Sequence, residues 1–344
     1  MRLTIAEKPE LAKAIVEAMG GGVRKNGYYE CGNDYVTYCF GHMLRLLEPH
    51  EYDEKYAKWN IDDLPLVFIP WKHVPSDSSK EQLEIIIKLL EQSESCIHAG
   101  DPDPEGQLLV DEVLDFVGYS KPVQRVLIND NNVESVREAL SSMTDNQLYI
   151  HESNSTLARS ICDQLYGFNM SRLYTLVAQR MGYQGTLPVG RVVTPIMGLV
   201  VRRDLENASH VKKQYYDVEG VFNFGTTNIS AKYQVNEHDP IDEKKRIIDN
   251  VFAEEIQRTC QTSDARIRTV TTKQKKSSPP LPYNILKLQA DASRKFGLSP
   301  AQTKDITQAL REKHKLITYN RSDCQYLKMV NHEKAPSVLS AIAA

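Results

Sequence analysis

A chain of 344 residues is long enough for more than one domain and for a sizeable buried core. Its 41% hydrophobic and 25% charged content is that of an ordinary folded protein, which excludes a disordered or fibrous chain. The net charge of -3 carries no global signal for nucleic acid, so any contact with a polyanion has to come from local basic clusters. No apolar run approaches membrane-spanning length. The N-terminus, Met1-Arg2-Leu3-Thr4-Ile5-Ala6-Glu7, lacks the apolar core of a signal peptide, so the cytoplasm is the expected location. The six cysteines, Cys31, Cys39, Cys96, Cys162, Cys260 and Cys324, form no Cys-x-x-Cys pair. Most stand among apolar residues, and they read as buried free thiols rather than as a zinc site.

In chain order, Leu3 and Ile5 alternate with polar residues and predict a first strand. Pro9 opens a helix through Leu11, Ala14, Ile15 and Ala18, which Gly20-Gly21-Gly22 ends. No Gly-Lys-Ser/Thr follows these glycines, so they are not a phosphate-binding P-loop, and no nucleotide cofactor is expected. Residues 35–40 read as a strand. Ser78 and Glu81 have the spacing of a capping box that opens a helix running to about Gln92. A strand end at 96–99, an acidic turn, a helix, a strand at 123–128 and a helix at 133–143 follow. This alternation predicts a largely parallel sheet over residues 1–150. From 151 to about 204 the pattern is helical, with Arg159, Arg172, Arg180 and Arg191 recurring along it. That arginine spacing fits either a solvated face or a phosphate-tracking one. Residues 215–234 change to a period of two, with a turn near Gly225-Thr226-Thr227, and residues 265–272 read as one more strand. A basic, proline-stopped linker occupies 273–280. Helices are then expected over 285–296 and, after Ser299 and Pro300, over 301–311.

The acidic turn is Asp101-Pro102-Asp103-Pro104-Glu105-Gly106-Gln107. It lies between a strand-like run and the apolar helix face Leu108, Leu109, Val110, Val113, Leu114 and Val117. An α/β fold presents ligand-binding groups at such strand ends. Carboxylates gathered there repel one another unless a cation is present, and an all-oxygen set suits Mg²⁺, or Mn²⁺. Two other readings stand beside this one. Asp101, Asp103, Glu105, Gly106, Leu108 and Glu112 fall on the first, third, fifth, sixth, eighth and twelfth positions of a calcium EF-hand loop. The same residues also fit a solvated acidic turn that holds no metal.

Near the other end, Thr318-Tyr319-Asn320-Arg321-Ser322-Asp323 places an arginine two residues after a tyrosine. Ile5-Ala6-Glu7-Lys8-Pro9 puts an acid and a lysine at the end of the first strand. With Gly41-His42-Met43-Leu44, Leu165-Tyr166-Gly167-Phe168-Asn169-Met170-Ser171-Arg172, Gly190-Arg191-Val192-Val193-Thr194-Pro195 and Leu281-Pro282-Tyr283-Asn284, these stretches resemble type IA DNA topoisomerases, most closely the bacterial topoisomerase III branch. They occur in the family's order and cover essentially the whole chain.

The resemblance implies an α/β Toprim domain, with a Rossmann-like parallel sheet, followed by helical and β segments of a type IA toroid. It divides the chain into a Toprim catalytic domain at 1–150 and the first part of a helical DNA-binding domain at 151–210. The first part of a β-rich arch domain at 211–272 and a helical domain with the nucleophilic tyrosine at 273–344 complete the division. It implies ATP-independent, Mg²⁺-dependent cleavage and resealing of single-stranded DNA through a 5′-phosphotyrosyl bond. Tyr319 would be the nucleophile, Arg321 would hold phosphate, Glu7 would be the acid for the leaving 3′ oxygen and Lys8 would grip the scissile phosphate. Asp101, Asp103 and Glu105 would be the metal set, and Arg159, Arg172, Arg191 and His332 would face DNA. Against the family pattern, Pro104 stands for arginine, Gln164 for tryptophan, Val193 for glutamine and Asn320 for proline. Family chains run on past the tyrosine to close a ring. This chain is therefore expected to match an N-terminal portion that binds and cleaves single strands without relaxing plasmid by itself. A single-stranded DNA-binding remnant without turnover, and a Toprim nuclease or primase-like enzyme, are the alternatives.

Overall fold

The computed structural model describes residues 1–327 and 329–343. The chain divides into two compact units: residues 1–194 with 280–344, and residues 195–279. The first unit starts with β1 (Arg2–Ala6), α1 (Pro9–Ala18), β2 (Val23–Arg24), β3 (Tyr28–Cys31) and β4 (Asp34–Tyr38). It continues through β5 (Leu44–Leu46), α2 (Pro49–Tyr52), β6 (His73–Pro75), α3 (Lys80–Gln92), β7 (Ser95–Ala99) and α4 (Pro104–Val117). Next come β8 (Val123–Arg125), α5 (Val133–Ser141), β9 (Thr144–Asp145) and the long α6 (Ile150–Arg180). α7 (Val193–Ala208) leads into the second unit, which holds β10 (Glu219–Phe224), β11 (Thr227–Lys232) and α8 (Asn250–Thr262). α9 (Ile285–Phe296), α10 (Pro300–Glu312) and α11 (Met329–Ala343) belong to the first unit.

The principal sheet is seven-stranded, in the order β2-β3-β4-β1-β7-β8-β9. Only its centre is parallel: β1 pairs in parallel with β4 and β7, and β7 with β8. The edges are antiparallel, which the alternation of strands and helices did not foretell. The cause is local. Gly27 and Gly32, both at positive φ, turn the chain tightly between β2, β3 and β4 and leave no room for a crossover helix. Both faces of the sheet are covered. Leu11, Ile15 and Val136 from α1 and α5 pack with Val36, Ile97 and Val126 on one face. Leu83, Ile86 and Leu90 of α3 and Leu109 and Val113 of α4 pack with Leu3, Ile5 and Cys96 on the other. β1 is central and alternates its side chains between these two cores, so its end is fixed by both.

Several expectations are corrected. The strand at 265–272 is absent: Ile267 and Val270 are exposed, and among the described residues no partner strand pairs with them. The Ser78–Glu81 capping box is not made, because Ser78 lies in a 3₁₀ turn and α3 begins at Lys80. Cys39 and Cys96 are buried, but Cys162 on α6, Cys260 on α8 and Cys324 in the segment before α11 are exposed. The EF-hand reading fails, since a strand precedes the acids and α4 already starts at Pro104, inside the would-be loop. The β hairpin, the linker, α9 and the start of α10 follow the sequence pattern, α10 with a capping box between Ser299 and Gln302. Among the described residues, no helix is long and apolar enough to cross a membrane.

The junction of β7 and α4 is tight. A Cβ on Gly100 would sit 2.0 Å from the carbonyl oxygen of Gly106, and one on Gly106 would sit 2.4 Å from that of Asp101. These contacts are with backbone and cannot rotate away. Gly100→Ala should therefore cost at least about 1–3 kcal/mol in urea unfolding. An unchanged unfolding midpoint would show that the turn yields more easily than its contacts imply.

Candidate active site

Because Ala6 of β1 lies beside Ala99 of β7, the residues following these strands emerge together at the sheet's carboxyl edge. Glu7 donates its N–H to the Ala99 carbonyl at 3.3 Å, and the Asp101 N–H donates to Glu7 Oε2 at 2.9 Å. Lys8 precedes α1, whose Pro9 fills the first-turn position where a missing N–H costs nothing. Its Nζ stands 3.0 Å from Asp101 and 3.4 Å from Glu7. Asp103 caps α4 by accepting the Gly106 N–H at 2.7 Å. Pro104, which stands where the sequence resemblance has arginine, is the first residue of α4, where proline is favoured.

Beneath the turn, Arg125 is 2% exposed. Its guanidinium donates to the carbonyls of His98, Gly100, Val126 and Asp101 and to Gln107 Oε1. Burial among neutral acceptors lowers its pKa to about 10, so it stays charged at neutral pH. His98 accepts from the Gly100 N–H through Nδ1 and meets the Gln107 carbonyl through Nε2. Burial pushes it well below its ordinary value, so it is neutral. The turn that carries the acids is thus held by backbone hydrogen bonds from buried side chains.

The tyrosine comes to the same place. The Tyr319 N–H donates to the Asn129 carbonyl at 2.7 Å, its ring is 7% exposed, and its hydroxyl donates to Asp103 Oδ2. Arg311 of α10 reaches both Asp101 oxygens, at 3.1 and 3.4 Å, and lies 4.6 Å over the Tyr319 ring. Glu312 is 3.5 Å from Lys8. Asn320 bonds Thr307 and Gln308 of α10, which gives this substitution a use: it ties the tyrosine loop to the helix.

Charges shift accordingly. Burial, then the Asp101 charge, raises the Glu7 carboxyl above its ordinary range. Burial alone would raise Asp101 and lower Lys8. Arg311 and Lys8 reverse this for Asp101, and Asp101 and Glu7 reverse it for Lys8, so both are held in their charged forms. Burial and then the Asp103 carboxylate push the Tyr319 phenol well above its ordinary value, and the charge of Arg321 offsets part of that.

Not every expected residue joins this group. Glu105 turns to His42 Nε2, 2.8 Å away, and to Arg159 at 3.5 Å. Among the described residues, no three acids, histidines or cysteines are gathered as a metal-ligating group. Arg172 is buried over the Trp59 ring, with Nε and Nη1 unpartnered among the described residues, while Arg191 pairs with Asp163. Gln164 bonds the Leu47 carbonyl and Val193 is exposed at the start of α7. His332 is exposed on α11, and among the described residues no hydrogen bond or ion pair joins it to the acids. Arg311, Arg125 and Glu312 were missed by sequence reasoning. The available signal for Arg311 was its place on the stripe Thr303, Thr307, Arg311, at a spacing of four along one helix face.

The comparisons with known proteins bear on this assembly. A DNA topoisomerase family profile matches residues 147–344, and a Toprim domain profile matches residues 2–131. This chain belongs to the type IA DNA topoisomerase family. It is similar to DNA topoisomerase 3 of Vibrio cholerae, 44% identical over 354 residues, covering 99% of this chain and 55% of that one. It is also similar to DNA topoisomerase 3 of Salmonella typhimurium, 42% identical, covering 100% and 54%. In fold it matches the full-length topoisomerase I of Thermotoga maritima, with TM-score 0.68 and 22% identity over 99% of this chain and 52% of that one. The chain spans about half the length of the curated relatives it matches.

His42 belongs to the stretch Gly41-His42-Met43-Leu44, one of those that carry the sequence resemblance, and it has a structural part. It bridges Glu112 at 2.9 Å and Glu105 at 2.8 Å. The bond to Glu112 is the larger cause that raises it from 6.5 to about 9. A raised folded-state pKa stabilises fully below about pH 6.5 and is lost as pH climbs through about 9. Urea unfolding at stepped pH should therefore show stability falling over that window, with a shallower fall in His42→Gln. Identical slopes for the two chains would remove His42 from the account.

Proposed function

We propose that this chain carries the strand-cleaving site of a topoisomerase III-like enzyme. It would break and reseal single-stranded DNA through a 5′-phosphotyrosyl intermediate, without ATP, and in its family context change DNA topology by relaxation and decatenation. The observation that carries this reading is the meeting of Tyr319 with Asp103, Arg311 and the Glu7–Lys8–Asp101 group across two distant parts of the sequence. A buried tyrosine against two cations and three acids is poorly explained by packing alone.

In the cleavage step the Tyr319 oxygen attacks phosphorus, forming the O–P bond, and the bond to the 3′ oxygen breaks. Because the phenol is held protonated, its proton must leave during attack, and the Asp103 carboxylate already accepts its hydrogen bond. The 3′ oxygen needs a proton, and Glu7, raised by burial and by Asp101, is suited to supply it and to take it back on resealing. Lys8 and Arg321 supply positive charge for the phosphate oxygens. The ester energy is kept in the phosphotyrosyl bond.

The donor chemistry fits a hard divalent cation. Asp101, Asp103 and Glu7 are all-oxygen and lie within electrostatic reach of one another. Asp101 and Asp103 are the residues that would hold Mg²⁺, or Mn²⁺, and Glu105 would join them by turning from His42. When bound, the ion supplies charge to the phosphate and relieves the repulsion of the acids. Arg159 and Arg191, whose side chains are exposed, are proposed to follow the strand with His332 a further contact; Arg172, expected to face DNA with them, is buried over Trp59. The partner is single-stranded DNA, and the division at 150, 210 and 272 is proposed for the domains.

Tyr319→Phe removes only a hydroxyl. On a labelled single-stranded oligonucleotide with Mg²⁺, the protein–DNA adduct seen in denaturing gels should vanish while unfolding changes little. An adduct of undiminished yield in Tyr319→Phe would assign the nucleophile elsewhere.

A further inference from the structure

Arg311 has no part in the mechanism above, yet it is one of the largest fully buried side chains, at 2% exposed. It ends the buried stripe of α10. A buried guanidinium is costly unless paired, and Arg311 meets this need through one carboxylate, Asp101, with its Nε unpartnered among the described residues. The same planar group lies over the Tyr319 ring at 4.6 Å. An arginine can chelate a carboxylate and stack on an aromatic face at once, and a lysine cannot do both.

The surrounding backbone reinforces this placement. Past α10, Leu316 donates its N–H to the Leu310 carbonyl and Lys315 takes φ 54, so the chain doubles back on the helix end. Asn320 then bonds Thr307 and Gln308. The tyrosine loop is latched to α10, and Arg311 joins it to Asp101 of the acidic turn beside the bond from the Tyr319 hydroxyl to Asp103.

We propose that Arg311 is a positioning residue for strand cleavage: its guanidinium fixes the Asp101 carboxylate and the Tyr319 ring against each other, so that nucleophile and acids are held in one arrangement. The inference rests on the phosphotyrosyl reading above. It carries a second consequence. Arg311 occupies both Asp101 oxygens, so it competes with any cation drawn to the turn.

The test compares wild type, Arg311→Met and Arg311→Lys, each checked by thermal melting. Three quantities are read: the rate of adduct formation, the affinity for the same oligonucleotide, and Mn²⁺ affinity without DNA, by electron paramagnetic resonance. A displaced nucleophile should lower the Arg311→Met adduct rate about 100-fold. Oligonucleotide affinity should stay within about twofold. Mn²⁺ should bind about tenfold tighter once the competing cation is gone. Arg311→Lys should recover part of the rate, because charge returns without stacking. Wild-type adduct rates in Arg311→Met, or a loss of rate matched by equal losses of DNA affinity and melting temperature, would overturn the positioning role. If Arg311→Met does not fold, Arg311→Lys decides: a full wild-type rate overturns the proposal and a reduced rate supports it. Absence of any adduct in wild type would overturn the phosphotyrosyl reading itself, and the positioning role with it.

Discussion

A carboxylate taken out of water remains ionised only with cations against it, and Asp101, 1% exposed, sets that demand at the carboxyl edge of the sheet. Lys8 answers it from the end of β1 and Arg311 from the end of α10. These two pairings draw together residues separated by about three hundred positions of sequence. Removing either cation would leave the other to hold a carboxylate that also repels Glu7 and Asp103.

The fold makes this demand unavoidable. β1 and β7 are neighbours in register, so Glu7 and Asp101 must emerge side by side. Gly100 and Gly106 bring the turn so close to α4 that the acids cannot spread apart, and Arg125 pins the carbonyls beneath them. The like charges are therefore confined by backbone, and only counter-charge or proton uptake relieves them. Both occur: Lys8 and Arg311 pair with Asp101, and Glu7 is shifted toward its protonated form. The same crowding underlies the proposed roles of Glu7 as the proton donor and of Asp101 and Asp103 as the residues that would hold a divalent cation.

How much of this could be read from sequence depended on range. The first strand, the hairpin at Gly225, the linker and α9 are local patterns, and the sequence shows them. The acidic turn and the tyrosine segment were legible as motifs, and their order along the chain pointed to the family. Three-dimensional placement was not legible. Glu105 sits in the same short motif as Asp101 and Asp103, yet it turns to His42, because the first turn of α4 rotates it away from its neighbours. Pro104 stands where the resemblance has an arginine, and it also starts α4. Arg311 lies in an unremarkable helical run, and its importance depends on a contact with Asp101 across the unit, which no periodicity contains. The strand expected at 265–272 failed for the opposite reason: its alternation was present, but among the described residues no strand lies beside it.

The central claim is that Tyr319 is the residue that takes the DNA. The most direct measurement is mass spectrometry of the covalent species formed on single-stranded DNA with Mg²⁺, after nuclease and trypsin digestion. Cleavage after Lys315 and Arg321 isolates Leu316-Ile317-Thr318-Tyr319-Asn320-Arg321, in which Tyr319 is the sole tyrosine. The account predicts this peptide with a 5′-phosphorylated nucleotide on its tyrosine. A nucleotide mapped to any other peptide, or a free 5′ phosphate on cleaved DNA with the peptide unmodified, would contradict it.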